Sequence, residues 1–164
     1  MTKSRRRTLT GLLVAAPVGL LLAYGAAAKS IIDPMPTDYA RSYSALSNGT
    51  SSTLGTTMKL SRTWASFSKL KGELKLQYAD VWNNGNDTDY GGNVYKVLNA
   101  DAFFSQNKGK NGFCDEPVRW LTVMDMSNQL GNGAVRIGML SIDDWRKYKP
   151  DALGACSADT FTVE

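Results

Sequence analysis

The stretch from Val118 to Leu140 constrains the fold more than any other part of this chain. Two short apolar runs, Val118 to Asp125 and Ala134 to Leu140, flank a linker that ends in Gly131-Asn132-Gly133. In the second run Val135, Ile137 and Met139 share one side of an extended strand, and Arg136 and Gly138 take the other, because successive strand side chains point to opposite faces. The glycines supply the backbone freedom that a reversal needs, so the two runs are predicted to pair as an antiparallel hairpin. Val94 to Leu98, bounded by Gly91-Gly92, and Thr160 to Val163, where Phe161 and Val163 fall together, are further short strands.

Trp64 to Trp82 fits two periods. Phe67, Leu70, Leu74, Tyr78 and Val81 recur at helical spacing, whereas Leu74, Leu76, Tyr78, Asp80 and Trp82 alternate as in a strand. Gly72 interrupts the helix and aromatic residues suit a sheet, so a strand is predicted from Glu73 to Trp82. From Ser141 to Tyr148, the acids Asp143 and Asp144 precede the bases Arg146 and Lys147, with Pro150 beyond; this order suits the dipole of one helical turn. The expected fold class is mainly β, with α+β as the alternative: an antiparallel sheet curled into a small sandwich or barrel, with one or two short helices and one disulfide.

The first thirty residues set the compartment. Lys3, Arg5, Arg6 and Arg7 precede an apolar run from Leu9 to Ala28, ending in Ala26-Ala27-Ala28. A basic start, an apolar middle and small residues before a cut follow the secretory pattern, and Arg6-Arg7-Thr8-Leu9 resembles the core of a twin-arginine signal. An uncleaved anchor is the alternative, since residues 9–28 as a helix rising 1.5 Å per residue would span a hydrocarbon core of roughly 30 Å. Either way the body is expected outside the cytoplasm, periplasmic or extracellular, or held at the inner membrane through residues 9–28. The expected organisation is an export signal or anchor over 1–28, a polar lead-in or tether over 29–57, and one globular domain over 58–164.

Loss of residues 1–28 removes four of the nineteen basic residues and none of the fifteen acidic ones, leaving a formally neutral body. Nucleic-acid binding rests on many Lys and Arg contacts to phosphate, so this body is not expected to bind it. One local imbalance stands out, Lys59, Arg62, Lys69, Lys71 and Lys75 against the single Glu73; it suits an anionic lipid or glycan surface, or simply a solvated face. Cys114 and Cys156 both lie in the exported part, where two cysteines allow one intramolecular bridge. Closing that loop of roughly forty residues is worth about 4 kcal/mol in the chain-entropy model.

The chain contains no histidine, which removes Ser-His-Asp and Cys-His hydrolases and two-histidine zinc proteases as self-contained mechanisms. No cofactor is expected. The carboxylate pairs Asp143-Asp144 and Asp115-Glu116 leave room for glycosidase chemistry on a wall polysaccharide, although adjacent carboxylates seldom flank one substrate from opposite sides. Residues 83–92 alternate oxygen-bearing side chains with glycine much as a calcium loop does, making Asp87 and Asp89 weak metal candidates. Counting from Asp87, the fifth and twelfth places hold Gly91 and Leu98 where a calcium loop needs ligands, so a polar connection between strands accounts for the loop better than a metal site. Trp82, Asn84, Asn86 and Tyr90 are the candidate ligand contacts, because rigid rings beside amides suit a glycan or protein surface. The leading expectation is a non-enzymatic envelope domain binding a partner protein or a wall glycan. The alternatives are an accessory subunit of a membrane complex anchored by residues 9–28 and the carboxylate enzyme.

Overall fold

A computed structural model describes residues 39–83, 91–107, 115–131, 133–147 and 155–164. Eight strands, each paired with its neighbours in chain order, close into an antiparallel barrel: β1 (Arg41–Ala45), β2 (Thr57–Leu60), β3 (Trp64–Phe67), β4 (Leu74–Asn83), β5 (Gly91–Val97), β6 (Trp120–Asp125), β7 (Val135–Leu140) and β8 (Ala155–Val163). The mainly β expectation holds, and of the two forms it named the barrel is the one adopted. Closure is made by β1 against β8, with Tyr43 opposite Val163, Ser44 opposite Thr162 and Ala45 opposite Phe161.

Period-two alternation builds the interior. Met58 and Leu60, Ala65 and Phe67, Leu74 and Leu76, Tyr95 and Val97, Leu121 and Val123, Val135, Ile137 and Met139, and Phe161 join one buried cluster. Residues between them, such as Lys59, Lys75, Lys96 and Arg136, are exposed. A strand predicted over Glu73–Trp82 is found as β4, and the hairpin predicted around residues 118–140 is β6 and β7, whose six Cα partners run from Trp120 opposite Leu140 to Asp125 opposite Val135. Its linker also contains a short helix, α3 (Ser127–Leu130), and Gly131 and Gly133 have φ near +100° and +78°. The predicted turn over 141–148 is a single 3-10 turn, Trp145–Lys147.

The expected start of the folded domain at residue 58 is corrected, because β1 and helix α1 (Asn48–Thr53) lie inside the presumed tether. Serines and threonines here are structural. Ser47 caps α1 by accepting from Thr50 N at 3.0 Å, satisfying one of the amides a helix start leaves open. Leu54, just past the helix, is fully buried and closes one end of the barrel together with Leu70 and with Phe103 of α2 (Ala100–Asn107). Two asparagines tie α2 to the β3–β4 connection. Asn107 accepts from Lys71 N at 2.8 Å and donates to Lys71 O at 2.9 Å, while Asn99 accepts from Lys75 N and donates to Glu73 O, both at 2.8 Å.

A second cluster sits outside the wall. Trp82, Val94, Met124, Leu140 and Trp145 are buried together, with Trp120 and Ile142 packed against them. The segment 141–147 therefore covers the outer face of β4–β7, and strand β6 is buried on both sides. At the surface Arg119 pairs with Asp143 of this cover at 3.6 Å. The Arg146–Asp144 pair at 3.6 Å and the Arg146 amide donating to Asp144 Oδ1 at 3.1 Å are local to the segment, and burial of Trp145 in the cluster is what seats the cover.

The expected export signal or anchor over 1–28 lies outside the described residues, as does Cys114, so the Cys114–Cys156 bridge stays a proposal. Cys156 is exposed at the start of β8, its Sγ 3.3 Å from Ser141 Oγ. Among the described residues, no helix is long and apolar enough to cross a membrane.

Phe161 is fully buried, tilted against Phe67 with centroids 6.3 Å apart, and lies on the closing strand. Phe161→Ala is expected to cost about 3–5 kcal/mol, the range for truncating a core aromatic. A shift in the urea midpoint at unchanged slope checks it.

Candidate functional site

The two ends of the barrel differ in chemistry. One end is closed by Leu54, Leu70 and Phe103. At the other lie the start of β1, the end of β8 and the β2–β3, β4–β5 and β6–β7 connections. Polar residues on the inward face gather at this termini end. Arg41 and Tyr43 are two apart on β1, Asn93 and Tyr95 two apart on β5, and Asp159 lies on β8, so each pair shares the inward face with the core residues. Asn93, Val123, Ile137 and Asp159 follow one another across adjacent strands in a single register row. Asn93 and Asp159 are buried.

Arg62 comes from the tight β2–β3 turn. Ser61 builds that turn: its hydroxyl accepts from Thr63 N at 3.2 Å and Trp64 N at 3.1 Å, and Ser61 is almost fully buried. Opposite the turn, the β4–β5 pairing shifts register between Tyr78 and Asp80, a bulge that re-aims β4. Just before it, Tyr78 is 52% exposed while its cross-strand partner Tyr95 is 2% exposed. Their rings meet edge to face, centroids 5.9 Å apart and planes at 78°. This geometry suits ring quadrupoles and leaves one phenol at the surface above another in the interior.

Electrostatics tie these groups together. Burial pushes the Tyr43 phenol above its ordinary value of 10.0, opposed by the charge of Arg41 and a hydrogen bond with it, while Asp125 raises it further. Burial also raises Tyr95, opposed by the charge of Arg62 and a hydrogen bond with Asn93, with Tyr78 and Tyr43 adding to the rise. Arginines, tyrosines, an asparagine and acids thus share one end of the barrel, the phenols of Tyr43 and Tyr95 buried, Arg62 half-buried and Arg41 exposed. Such a set can donate to a carboxylate or a sugar hydroxyl and stack against a ring or a sugar face.

Of the candidate contacts predicted from sequence, Trp82 is buried in the outer cluster at 6% exposure, which leaves little of its ring to a ligand. Its place there is that of a core residue. Asn84, Asn86, Asp87, Asp89 and Tyr90 lie outside the described residues. Trp82 and Tyr78, both near the end of β4, belong to different faces because the bulge changes the alternation between them. Asp143 and Asp144 pair with Arg119 and Arg146 on the outer cover, and Asp115 and Glu116 are exposed. Among the described residues, no group of three or more His, Cys, Asp or Glu is placed to hold a metal ion.

Arg41, Tyr43 and Asn93 are not apparent as site residues in the sequence, where Arg62 groups with the neighbouring lysines instead. Arg41-x-Tyr43 and Asn93-x-Tyr95 are each a polar residue two before a tyrosine, which is the available signal; their convergence comes only from closure of the barrel. Comparison with protein families, with curated proteins and with solved structures finds no match for this chain.

Both buried phenols have raised folded pKa values, so above about pH 10 the unfolded chain releases protons that the folded chain keeps. The stabilisation is full below about pH 10 and is lost as pH rises through the folded values. The urea midpoint of wild type is expected to fall more steeply with alkaline pH than that of Tyr43→Phe or Tyr95→Phe. Parallel curves would contradict the assignment.

Proposed function

We propose that this protein is an exported, non-enzymatic binding domain of the cell envelope that takes a carboxylate-bearing group of a wall component or partner protein at the termini end of the barrel. One observation carries the reading: Tyr78 stands exposed, edge-on to buried Tyr95, at the end where Arg41, Arg62 and Asn93 converge. Eight-stranded up-and-down barrels either fill with side chains or hold one small ligand. Here large apolar side chains fill the capped end, so a ligand would engage the polar end. Guanidinium groups favour carboxylates, which wall peptides and acidic glycans carry, and the exposed ring adds contact area at little entropic cost.

Catalysis by paired carboxylates has weaker support, since Asp143 and Asp144 are adjacent residues at the surface of the outer cover, each 3.6 Å from an arginine, and adjacent carboxylates seldom flank one substrate from opposite sides. Export rests on the basic and apolar leader over residues 1–28.

Titration of the protein with soluble wall fragments, followed by NMR, is expected to move the resonances of Tyr78, Asn93 and Tyr95. Tyr78→Ala and Arg62→Gln should each weaken binding by about 1–3 kcal/mol, as loss of a stacking or charge-assisted contact does. Shifts confined to the outer cover, or release of reducing ends from the fragments, would defeat the proposal.

The exported location also implies the Cys114–Cys156 bridge. Thiol counting in denaturant without reductant should find none in protein taken from the envelope, and reduction should lower stability by about 2–4 kcal/mol.

A further inference from the structure

The outer wall of β2–β5 carries a set of lysines that the binding reading does not use. Lys59 on β2 faces outward opposite Ser66, Lys75 on β4 opposite Trp64, and Lys96 on β5 opposite Gln77. All three are exposed, and so are Lys69 and Lys71 on the adjoining β3–β4 connection. Trp64 lies half-buried on the same face. From β2 to the bulge in β4, the outward strand residues are Thr57, Lys59, Trp64, Ser66, Lys75 and Gln77, with no carboxylate among them. Glu73, Asp80 and Asp101 border the face. None of the five lysines forms an ion pair with a described residue, whereas Arg119 and Arg146 on the covered side of the barrel both do.

The lysines stand on a fixed frame. Strand pairing sets Lys59, Lys75 and Lys96, and Asn107 and Asn99 hold the backbone at Lys71 and Lys75. Lys69 is held by its amide donating to Leu54 O at 3.1 Å and by its ammonium donating to Ser52 O. A single-sign array with a tryptophan at its level matches an anionic bilayer surface: the lysines meet lipid phosphates, and the indole sits at headgroup depth.

We propose that the β2–β5 wall is a membrane-docking face, recognising the anionic headgroups of the leaflet on which the exported domain rests. This orientation lays the barrel on its side and leaves the termini end clear, so it does not depend on the ligand reading of that end.

The test uses the full chain and its Lys59→Gln/Lys75→Gln/Lys96→Gln variant, with near-UV circular dichroism showing that both are folded. Each is measured on vesicles of phosphatidylcholine alone and with about a third phosphatidylglycerol. The leader is common to both proteins, so the change in preference for anionic over neutral vesicles reads the wall alone. Each lysine near such a surface contributes about fivefold, so the triple variant is expected to lose at least about tenfold of that preference. Amine acylation followed by mass spectrometry should show Lys59, Lys75 and Lys96 protected only on anionic vesicles, and raised salt should remove the protection. Equal preference in the two proteins, or protection by neutral vesicles to the same degree, would overturn the proposal. So would protection by a soluble acidic polysaccharide or DNA but not by anionic vesicles.

Discussion

The seam between β1 and β8 is the interaction on which the rest of the structure depends. Besides the three strand pairs, it includes Leu46 N donating to Thr160 O at 3.0 Å, Glu164 N donating to Ser42 O at 3.2 Å and Ser44 Oγ donating to Glu164 Oε1 at 2.8 Å. Without it the sheet has two free edges, each a row of unpaired amides and carbonyls open to another chain. Joining residues 120 apart costs roughly 4 kcal/mol by the logarithmic growth of closure entropy. That cost is least once β2–β7 are in place, since each hairpin shortens the remaining gap. Phe161 supplies the apolar reward, entering the interior from the closing strand and meeting Phe67.

Closure also assembles the polar end. Arg41 acts on Tyr43 within β1 and Asn93 on Tyr95 within β5, whereas the influence of Arg62 and Tyr43 on Tyr95 and of Asp125 on Tyr43 joins separate elements that the folded barrel brings together. A buried phenol keeps its proton more firmly than one in water, because the interior solvates phenolate poorly. The guanidinium beside each phenol works against that preference. Both phenols therefore stay protonated at neutral pH, Tyr43 beside Arg41 and Tyr95 within reach of Arg62.

Where a strand has large apolar residues at every second place, the sequence is sufficient to find it: β4, β6 and β7 announce themselves in this way. Helical spacing competed over Trp64–Trp82 because a ten-residue strand with a bulge places Tyr78 and Val81 three apart, and three is also a helical interval. β1 and α1 were hidden by composition. Their inward residues are few, and the serines and threonines around them serve as caps and wall surface, tasks that look the same in sequence as those of a tether. α2 shows no strong apolar stripe, only Phe103 and the clamping Asn107 turned into the structure. The candidate site was not legible in sequence: Trp82, the described member of the predicted contacts, packs in the outer cluster, and Arg41, Tyr43, Arg62 and Asn93 are distant in sequence and meet through the fold.

The barrel wall then explains why two such different surfaces occur on one small domain. Closing a sheet buries one face of every strand and leaves the opposite face to be solvated or covered. On β5–β7 the outward residues include Val94, Met124 and Leu140, whose exposure would cost about 1.5–3 kcal/mol each, and the segment 141–147 folds back to cover them with Trp145 and Ile142. The acids Asp143 and Asp144 lie at the surface of that cover, beside Arg119 and Arg146. On β2–β4 up to the bulge the outward residues are Lys, Ser, Thr and Gln with one Trp, and Lys59 and Lys75 are exposed, with no described segment folded over them. A wall that needs no cover for stability is free to meet something else, and its charge determines what that can be.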